Sequence, residues 1–338
     1  MRSPALAELP APGPGLTGWP WTEESPRPPD AMPDGRRWPR ITVVTPSFNQ
    51  GAFLEETIRS VLLQGYPDIE YLVVDGGSRD GSPEVIRKYG RWLAWWASEP
   101  DSGQADAINK GLARATGEIF NWVNSDDLLA PGALTEIAER FDASVDAFAG
   151  ACVVFGSGFP TLVQANRGLE PALLVRGNVR ARLQQPAFWL RPANVASCGG
   201  LDAGFHCFFD VELAVRYLAS FPRVAYSDAV VARFRFHPES KSVARREEFQ
   251  REYVRTLEKI SGTAPSPALR RHATRRLEEI DRHAELARLL GDTTRPRWRR
   301  ALTLAGSAAR RPRPRLLRIS AAALRRLVLG RPWIVAGE

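Results

Sequence analysis

Two adjacent carboxylates, Asp126 and Asp127, stand just after an apolar run that extends over residues 119–123. Asn124 and Ser125 separate the run from the two acids. Carboxylates at the end of a buried strand are costly unless a cation lies against them. A divalent metal ion fits this need, because hard metals take carboxylate oxygens and bridge them to phosphate oxygens. The alternative is a loop that caps the following helix, and these four residues alone do not decide between the two.

The length and composition of the chain limit its class. Its 338 residues are 44% hydrophobic and 25% charged, which is enough for one large domain with extensions. The three cysteines are too few and too scattered for a disulfide framework or a zinc site, which indicates a reducing compartment. No run approaches the ~18 apolar residues of a membrane span. Prolines near the N-terminus interrupt any signal-peptide core, so we expect a cytoplasmic protein.

The positive charge of the chain is concentrated towards its C-terminus. The formal net charge is +8, but residues 261–338 hold 18 Arg, no Lys and 6 acidic residues. This tail therefore carries +12 and the remaining residues carry −4. A basic tail on a mildly acidic body indicates an anionic partner for the tail.

A helical wheel of residues 315–329 separates basic from aliphatic side chains. The basic side consists of Arg315, Arg318, Arg325 and Arg326, and the apolar side of Leu316, Leu317, Leu324, Leu327 and Val328. This pattern predicts a helix that lies on an anionic membrane surface, which would place the protein peripherally at the inner face of the membrane. The alternative is a helix that packs on the body with its Arg side in water.

Strand-like and helix-like segments alternate over residues 41–155. Short apolar runs begin at Ile41, Ile69, Leu93 and Ile119, and a segment with helical features follows each run. Repeating β-α units predict an α/β fold with a parallel sheet covered by helices. In such folds, ligands bind outside the carboxyl ends of the strands.

Three regions follow from the composition. Residues 1–40 contain ten of the 27 prolines, so residues 1–39 are predicted to form a poorly ordered lead. Residues 40–244 form the predicted α/β domain, in which the β-α pattern becomes less regular after Gly150. Residues 245–338 are predicted to form a helical, basic C-terminal extension.

Polar residues also end the first two predicted strands. The first strand runs into Pro46, Ser47 and Asn49, and Asp75 ends the second. An acid at the end of the second strand of such a sheet commonly holds a nucleoside. A dinucleotide-binding fold is the competing interpretation, but it requires a glycine-rich turn after the first strand, and no glycine occurs there before Gly51. A nucleoside at Asp75, with its phosphates directed towards the two adjacent acids, is the better interpretation.

Eight sequence blocks occur in a fixed order, and together they are specific. They are Thr45-Pro-Ser-Phe-Asn-Gln, Val74-Asp-Gly-Gly-Ser-Arg-Asp-Gly, Glu99-Pro-Asp-Ser-Gly-Gln-Ala-Asp-Ala-Ile-Asn-Lys-Gly, Asn124-Ser-Asp-Asp, Gln184-Gln-Pro-Ala-Phe, Gly199-Gly-Leu-Asp, Phe209-Asp-Val-Glu-Leu-Ala-Val-Arg and Arg235-Phe-His-Pro-Glu-Ser-Lys. Over about residues 40–240 the chain resembles the family 2 inverting glycosyltransferases of the GT-A fold, a Rossmann-like and mostly parallel sheet flanked by helices. Bacterial polysaccharide and O-antigen sugar transferases are similar to it.

The resemblance implies roles for the residues at the strand ends. Pro46, Ser47 and Asn49 would line the nucleotide pocket, and Asp75 would contact the base. The residues implied at the edge of the donor-sugar side are Asp101, Gln104 and Asn109.

The resemblance also implies a metal site. Asn124, Ser125 and Asp126 occupy the DxD position of the family, so Asp126 is the implied direct ligand of a divalent metal ion, Mn²⁺ or Mg²⁺. Asp127 would lie close to the sugar or the diphosphate, and His237 stands where a late His approaches the diphosphate or the metal. Because the first acid of the motif is Asn124 here, fewer charged ligands are available to the metal.

Asp210 stands at the family's position of the general base. Transfer of a sugar from a nucleoside diphosphate to an alcohol leaves negative charge on the diphosphate, which a metal neutralises, and the attacking hydroxyl must lose a proton. The apolar residues 207–209 precede Asp210 and would raise its pKa towards that of a useful base. Without the resemblance, Asp210 is better interpreted as the N-cap of a helix over residues 211–219, and His237 as a structural or solvated residue.

The sequence therefore predicts a metal-dependent inverting glycosyltransferase. It would move a sugar from a nucleoside-diphosphate sugar, with UDP as the expected nucleotide, to a glycan or polyprenyl-diphosphate-linked acceptor in cell-surface polysaccharide synthesis. A sugar-phosphate nucleotidyltransferase would need a glycine-rich basic loop after the first strand, which is absent. The tail has no zinc or helix-turn-helix signature, so no nucleic acid is expected. A catalytically silent relative that binds sugar nucleotides is disfavoured by Asp126, Asp127 and Asp210.

Overall fold

One sheet of nine strands organises the protein in a computed structural model that describes residues 1–156, 158, 160–177, 181–241, 245–291, 296–310 and 314–328. The strands are β1 (Ile41–Ser47), β2 (Ile69–Asp75), β3 (Trp95–Ser98), β4 (Ile119–Trp122), β5 (Leu128–Leu129), β6 (Ala147–Phe155), β7 (Leu162–Ala165), β8 (Phe188–Leu190) and β9 (Val224–Arg235). Their order is β3-β2-β1-β4-β8-β6-β9-β5, and β7 pairs with β6 at the side.

The first four strands form the parallel half of the sheet. β1 pairs in parallel with β2 and with β4, and β2 pairs in parallel with β3. The register places Ser47 opposite Asp75 and Asp75 opposite Ser98, so three strand ends meet at one edge. The predicted α/β fold, with polar residues gathered at the carboxyl ends of parallel strands, is confirmed in this half.

The remaining strands form a mixed half of the sheet. β8 lies antiparallel between β4 and β6, and β6 pairs in parallel with β9 along most of its length. β5 and β7 add antiparallel pairs, to β9 and β6 respectively. β9 therefore brings the segment after Arg235 back beside the loop that precedes β5.

The helices of the α/β body cover the sheet, and their apolar faces explain where they pack. These helices are α1 (Gly51–Leu62), α2 (Ser82–Tyr89), α3 (Gln104–Leu112), α4 (Ala133–Glu139), α5 (Pro171–Val175), α6 (Pro192–Ser197) and α7 (Phe209–Ser220). In α1, Leu54, Ile58, Val61 and Leu62 are fully buried, as their helical spacing predicts. Burial of such an aliphatic side chain stabilises the fold by about 1.5–3 kcal/mol.

The proline-rich segment that the sequence predicts to be a poorly ordered lead packs against the body. Its residues Leu9, Met32 and Trp38 are buried, and the Trp19 indole N–H donates to the Leu129 carbonyl at 2.9 Å. Arg59 of α1 is fully buried, and its guanidinium donates to carbonyls of this segment, those of Pro10, Pro20 and Trp21. A buried guanidinium with these acceptors ties the segment to α1.

The chain divides between Tyr253 and Val254 into two compact units. The helices after the body are α8 (Arg246–Thr263), α9 (Pro267–Gly291), α10 (Arg297–Arg310) and α11 (Pro314–Val328). The second unit has a small core formed by Leu286, Leu304 and Ala323. No helix in the described part of the chain combines the length and hydropathy that crossing a membrane requires.

Helix α11 contains the residues for which the sequence predicts a membrane-surface helix. Leu324, on the predicted apolar side, packs against the core of the second unit, while Arg318 and Arg325 are exposed. Leu324 thus packs within the second unit, and the membrane-surface helix stays a prediction. The structure describes only the backbone of the other residues of this prediction, not their side chains: Arg315, Leu316, Leu317, Arg326, Leu327 and Val328.

Candidate active site

A cavity of about 410 Å³ lies at the carboxyl ends of β1 and β4. Eight residues for which the sequence predicts a site role line it: Pro46, Ser47, Asp101, Gln104, Asn124, Ser125, Asp126 and Asp210. Five others do not line it: Asn49, Asp75, Asn109, Asp127 and His237. The hydrogen bonds of these five residues show what each of them does instead.

Asp75 is fully buried, and its carboxylate organises the turn after β2. It accepts hydrogen bonds from the Ser78 backbone N–H at 2.9 Å and from the Ser78 hydroxyl at 2.5 Å. The Ser98 hydroxyl at the end of β3 donates a third hydrogen bond at 2.7 Å. These three donors hold the carboxylate in place beneath the predicted nucleotide pocket.

Asn49 joins the loops that follow β1 and β2. Its φ of 52° is left-handed, a conformation that Asn tolerates better than most residues. Its side-chain oxygen accepts from the Arg79 N–H at 3.0 Å, and its own N–H donates to the Ser78 hydroxyl at 2.7 Å. Asn49 therefore fixes the shape of the β1-α1 loop, whose Pro46 and Ser47 reach the cavity.

Asn109 ties helix α3 to the loop before α7. Its amide donates to the Leu201 carbonyl at 2.8 Å and accepts from the Leu201 N–H at 2.9 Å. Gly200 approaches so closely that an added Cβ would lie 2.8 Å from the Asn109 oxygen, and its φ of +70° also favours glycine. The amide is thus engaged with the backbone, away from the cavity.

The Asn124–Asp127 loop presents one carboxylate and buries the other. Asp126 lines the cavity, and its Oδ2 lies 3.0 Å from Nε2 of His237. Asp127 is fully buried and accepts from the Arg235 N–H at 2.9 Å and from the Asn124 amide at 3.0 Å. Burial, and then the neighbouring Asp126 carboxylate, raises the pKa of Asp127.

Asp126 and His237 bring two side chains that can bind a metal ion close together. Among the described residues, no group of three or more His, Cys, Asp or Glu side chains is arranged to hold a metal ion. The two side chains come from distant parts of the chain, the β4-β5 loop and the segment after β9. A ring contact with Phe53, at 5.1 Å between centroids, supports the imidazole from the other side.

A chain of polar side chains runs from Lys241 to Asp127. The Lys241 ammonium donates to Oε1 of Gln104 at 2.6 Å, and the Gln104 amide donates to Oδ1 of Asn124 at 2.6 Å. Asn124 continues the chain to Asp127. The second acceptor of Lys241 is the carbonyl of His206, at 3.2 Å. Burial lowers the pKa of Lys241, because removal from water disfavours its charged form, and the nearby Arg245 adds to the lowering.

Asp210 lies in the first turn of α7 and lines the cavity. The helix begins at Phe209, after Phe208 as its N-cap, so Asp210 is not the N-cap. Its Oδ1 accepts from the Val211 N–H at 2.8 Å. Burial raises the pKa of Asp210 to about 6, with Glu252 adding to the rise and Lys241 opposing it.

Known glycosyltransferases resemble this chain in sequence. The sequence profile of Glycosyl transferase family 2 matches residues 42–200. An uncharacterized glycosyltransferase of Mycobacterium tuberculosis is 31% identical over 183 residues, which cover 53% of this chain and 68% of that protein. The chain belongs to glycosyl transferase family 2. A shorter match joins this glycosyltransferase to a Campylobacter jejuni GalNAc(5)-diNAcBac-PP-undecaprenol beta-1,3-glucosyltransferase, with 27% identity over 39% of this chain and 44% of that protein.

Solved structures share the fold of this family 2 glycosyltransferase. Staphylococcus aureus TarS 1-349 in complex with UDP-GlcNAc has a TM-score of 0.56, 19% identity and 71% coverage of each chain. The mannosyltransferase PcManGT of Pyrobaculum calidifontis, in complex with GDP-Man and Mn²⁺, has a TM-score of 0.55, 21% identity and 90% coverage of each chain. At these identities the similarity establishes the fold alone.

Sequence reasoning missed two charged residues next to the cavity of this glycosyltransferase. Lys241 ends the last of the eight sequence blocks, so its place in that block was the available signal. Glu252 lies in α8, beyond the last block, and the sequence carries no signal that separates it from the other acids of that helix. Both residues become visible only through their hydrogen bonds with segments far away in the chain.

Proposed function

We propose that this family 2 glycosyltransferase moves a sugar from a nucleoside-diphosphate sugar to a hydroxyl group of a glycan or polyprenyl-diphosphate-linked acceptor, with inversion at the anomeric carbon. One observation carries the proposal. Asp126, which pairs with His237, and Asp210, whose pKa is raised, line one cavity. The first pair suits a metal-bound diphosphate, and the second carboxylate suits a base.

The residues present fit a divalent metal ion, Mn²⁺ or Mg²⁺. Oδ2 of Asp126 and Nε2 of His237 are 3.0 Å apart and are of the types that such ions accept. Two protein ligands are sufficient when phosphate oxygens and water complete the coordination, as is usual where a metal binds a nucleotide. The ion would neutralise the negative charge that develops on the leaving diphosphate.

Lys241 would add a positive charge on the same path. Its ammonium lies in the cavity wall with a glutamine oxygen and a backbone carbonyl as acceptors. A half-buried cation with neutral partners attracts an anionic ligand strongly, because the interaction is less screened than at the surface. The diphosphate is the anionic part of the proposed donor, and Gln104 and Asn124 hold the lysine in line with the Asp126 loop.

Asp210 is proposed as the general base. Its carboxylate would take the proton from the acceptor hydroxyl as the oxygen forms a bond to the anomeric carbon. The bond from that carbon to the diphosphate oxygen would break, and the nucleoside diphosphate would leave with the electron pair. A pKa of about 6 leaves the carboxylate ionised at neutral pH and makes it a stronger base than an ordinary aspartate.

The donor and the acceptor are assigned by chemistry and by similarity. Phe48 lies at the cavity and is 61% exposed, so an unusually large apolar surface is available for stacking of a nucleobase. UDP is the proposed nucleotide; structures with this fold hold UDP-GlcNAc in TarS and GDP-Man in PcManGT, so the titration compares both nucleotides. The name of the Campylobacter jejuni relative includes a diphosphate-linked undecaprenol, which supports a lipid-linked acceptor and a place in polysaccharide synthesis.

Titration of nucleotide sugars into the full chain tests the proposal. UDP-, GDP- and dTDP-sugars would be titrated with Mn²⁺, with Mg²⁺ and with a chelator, in the native protein and in the variant Asp126→Ala. Glu84→Ala, which removes an exposed carboxylate of α2, is the matched control. We expect metal-dependent binding of a UDP-sugar that Asp126→Ala abolishes and Glu84→Ala keeps. Failure of a folded protein to bind any nucleotide sugar would overturn the proposal.

A further inference from the structure

Glu252 of α8 binds the backbone immediately before the helix that carries Asp210. Its carboxylate accepts hydrogen bonds from three consecutive backbone N–H groups, at 2.7 Å from His206 and at 2.8 Å from each of Cys207 and Phe208. The side chain is only 6% exposed. A buried carboxylate with three N–H donors is a specific and costly arrangement, because its charge has been removed from water.

One of these N–H groups belongs to Phe208, the N-cap of helix α7, and the other two belong to the residues just before it. The N-terminal N–H groups of a helix have no partner within the helix, and the N-cap residue Phe208 has no side chain that accepts a hydrogen bond from them. Glu252 binds the N–H of this N-cap residue from a different helix and places a negative charge beside the helix N-terminus, which the helix dipole favours. It therefore holds the backbone just before α7, which begins at Phe209, one residue before Asp210.

The same segment is held from a second side by Lys241. While Glu252 accepts from its N–H groups, the Lys241 ammonium donates to the His206 carbonyl at 3.2 Å. Lys241 also contacts Gln104 on the donor side of the cavity. The 206–208 segment is thus held between one anion and one cation, and Phe209 alone separates it from Asp210.

The charged groups that face Asp210 come from two elements. Glu252 of α8 raises the pKa of Asp210, and Lys241, in the segment after β9, lowers it, although burial is the larger cause. Asp101 and Glu239 line the same cavity. Removing the charge of Glu252 while keeping its shape would therefore leave Asp210 more acidic.

We propose that Glu252 is a positioning residue for Asp210, which holds the N-terminus of α7 so that the Asp210 carboxylate meets the acceptor hydroxyl. The proposal rests on the proposed role of Asp210 as the base. It assigns a part of the reaction to a residue of α8, a helix outside the residues that the family profile matches. Glu252 does not touch the reacting atoms, and it acts through the backbone and through its charge.

The variant Glu252→Gln tests the positioning role, because it keeps one acceptor oxygen and loses the charge. We expect kcat to fall about 10- to 100-fold, as is typical when a reacting group is misplaced. The dissociation constant of the donor should stay the same. The acidic limb of the pH profile of kcat/KM should move to lower pH, which a merely structural role would not cause. Glu247→Gln, an exposed acid of the same helix, is the matched control and should change none of these.

A second variant keeps the proposal testable if Glu252→Gln does not fold. Glu252→Asp retains the charge and shortens the side chain, so it should lower kcat and leave the acidic limb near its native position. A native kcat and an unmoved limb in folded Glu252→Gln, or a native kcat in Glu252→Asp, would overturn the proposal. The variant Asp210→Asn distinguishes failure of the proposed base from failure of the positioning role of Glu252. If it turns over normally, the proposed base is wrong; if it is inactive while Glu252→Gln is native, only the positioning role is wrong.

Discussion

The two sides of the cavity are built by different means. On the donor side, Ser47, Trp122 and Asp126 follow or end parallel strands, and each is placed by a β-strand a few residues away. On the base side, Asp210 sits at a helix start whose backbone is held by Lys241 and Glu252, 31 and 42 positions further along the chain. The donor side is thus positioned locally, whereas the base side depends on contacts between distant segments.

Some of the site residues predicted from the sequence line the cavity, and others hold the loops around it. Asp75, Asn49 and Asn109 occupy positions that the sequence associates with the donor, yet their polar atoms are engaged by neighbouring loops. Asp101 and Gln104 come from the same sequence block as Asn109 and line the cavity. Residues of one block therefore divide between those that line the cavity and those that hold the backbone, and we expect substitutions of the second group to affect stability alone.

The largest expected effect is on the base side. Asp210→Asn should lower turnover, measured as sugar transfer or donor hydrolysis, by about 10²–10⁴-fold, because the acceptor loses its positioned base. The affinity for the nucleotide sugar should remain within about twofold, since the donor side is untouched. Asp228→Asn, which alters an 88% exposed carboxylate, is the control. Loss of donor affinity in Asp210→Asn would show that Asp210 also contributes to donor binding, contrary to the proposed difference between the two sides.

A smaller effect is expected where the two sides meet. Lys241→Met keeps most of the length of the side chain and removes its charge, so the nucleotide sugar should bind about 10- to 100-fold more weakly, which corresponds to the loss of a charge-assisted hydrogen bond. Calorimetric titration measures this change. Lys110→Met, at a lysine of α3 that pairs with surface acids, should bind like the native protein. Equal affinities in both variants would show that Lys241 does not contact the diphosphate.

A pair of variants on α3 distinguishes scaffold from binding residues. Asn109→Leu removes both hydrogen bonds to Leu201 and should lower the free energy of unfolding by about 1–3 kcal/mol, with the nucleotide-sugar affinity unchanged. Gln104→Leu should do the reverse, weakening binding more than it weakens the fold. Chemical denaturation and titration of both variants give the four values needed. If Asn109→Leu binds more weakly at native stability, Asn109 belongs to the donor site after all.

The smallest expected effect concerns stability and pH. The pKa of Asp210 is raised to about 6 in the folded protein, above that of a carboxyl in the unfolded chain, so its ionisation destabilises the fold above that pH. Asp210→Asn should therefore raise Tm at about pH 7.5 by a few degrees, and the gain should vanish as the pH falls below about 4. Thermal unfolding across this range measures it. A gain that is equal at both ends of the range would exclude Asp210 ionisation as its cause.

The pattern of the sequence predicts the donor side of the molecule much better than the base side. Alternating strands and helices over residues 41–129 predict the parallel half of the sheet, and the acids after the Ile119 run predict that Asp126 lines the cavity. No local pattern indicates that Arg59 is buried beneath the proline-rich segment, because its acceptors are backbone carbonyls. Glu252 is hidden for the same reason, since a carboxylate that binds backbone N–H groups leaves no trace in residue spacing.

The central claim is that Asp126 is needed to bind the donor and Asp210 is not. One set of titrations tests this claim most directly. A UDP-sugar would be titrated, with Mn²⁺ present, into the native protein, Asp126→Ala and Asp210→Asn, each shown to be folded by its thermal transition. We expect binding to the native protein and to Asp210→Asn with similar dissociation constants, and no binding to Asp126→Ala, because Asp126, paired with His237, is the proposed ligand of the metal-bound diphosphate and Asp210 is not. Native binding by Asp126→Ala, or loss of binding in Asp210→Asn, would contradict the account.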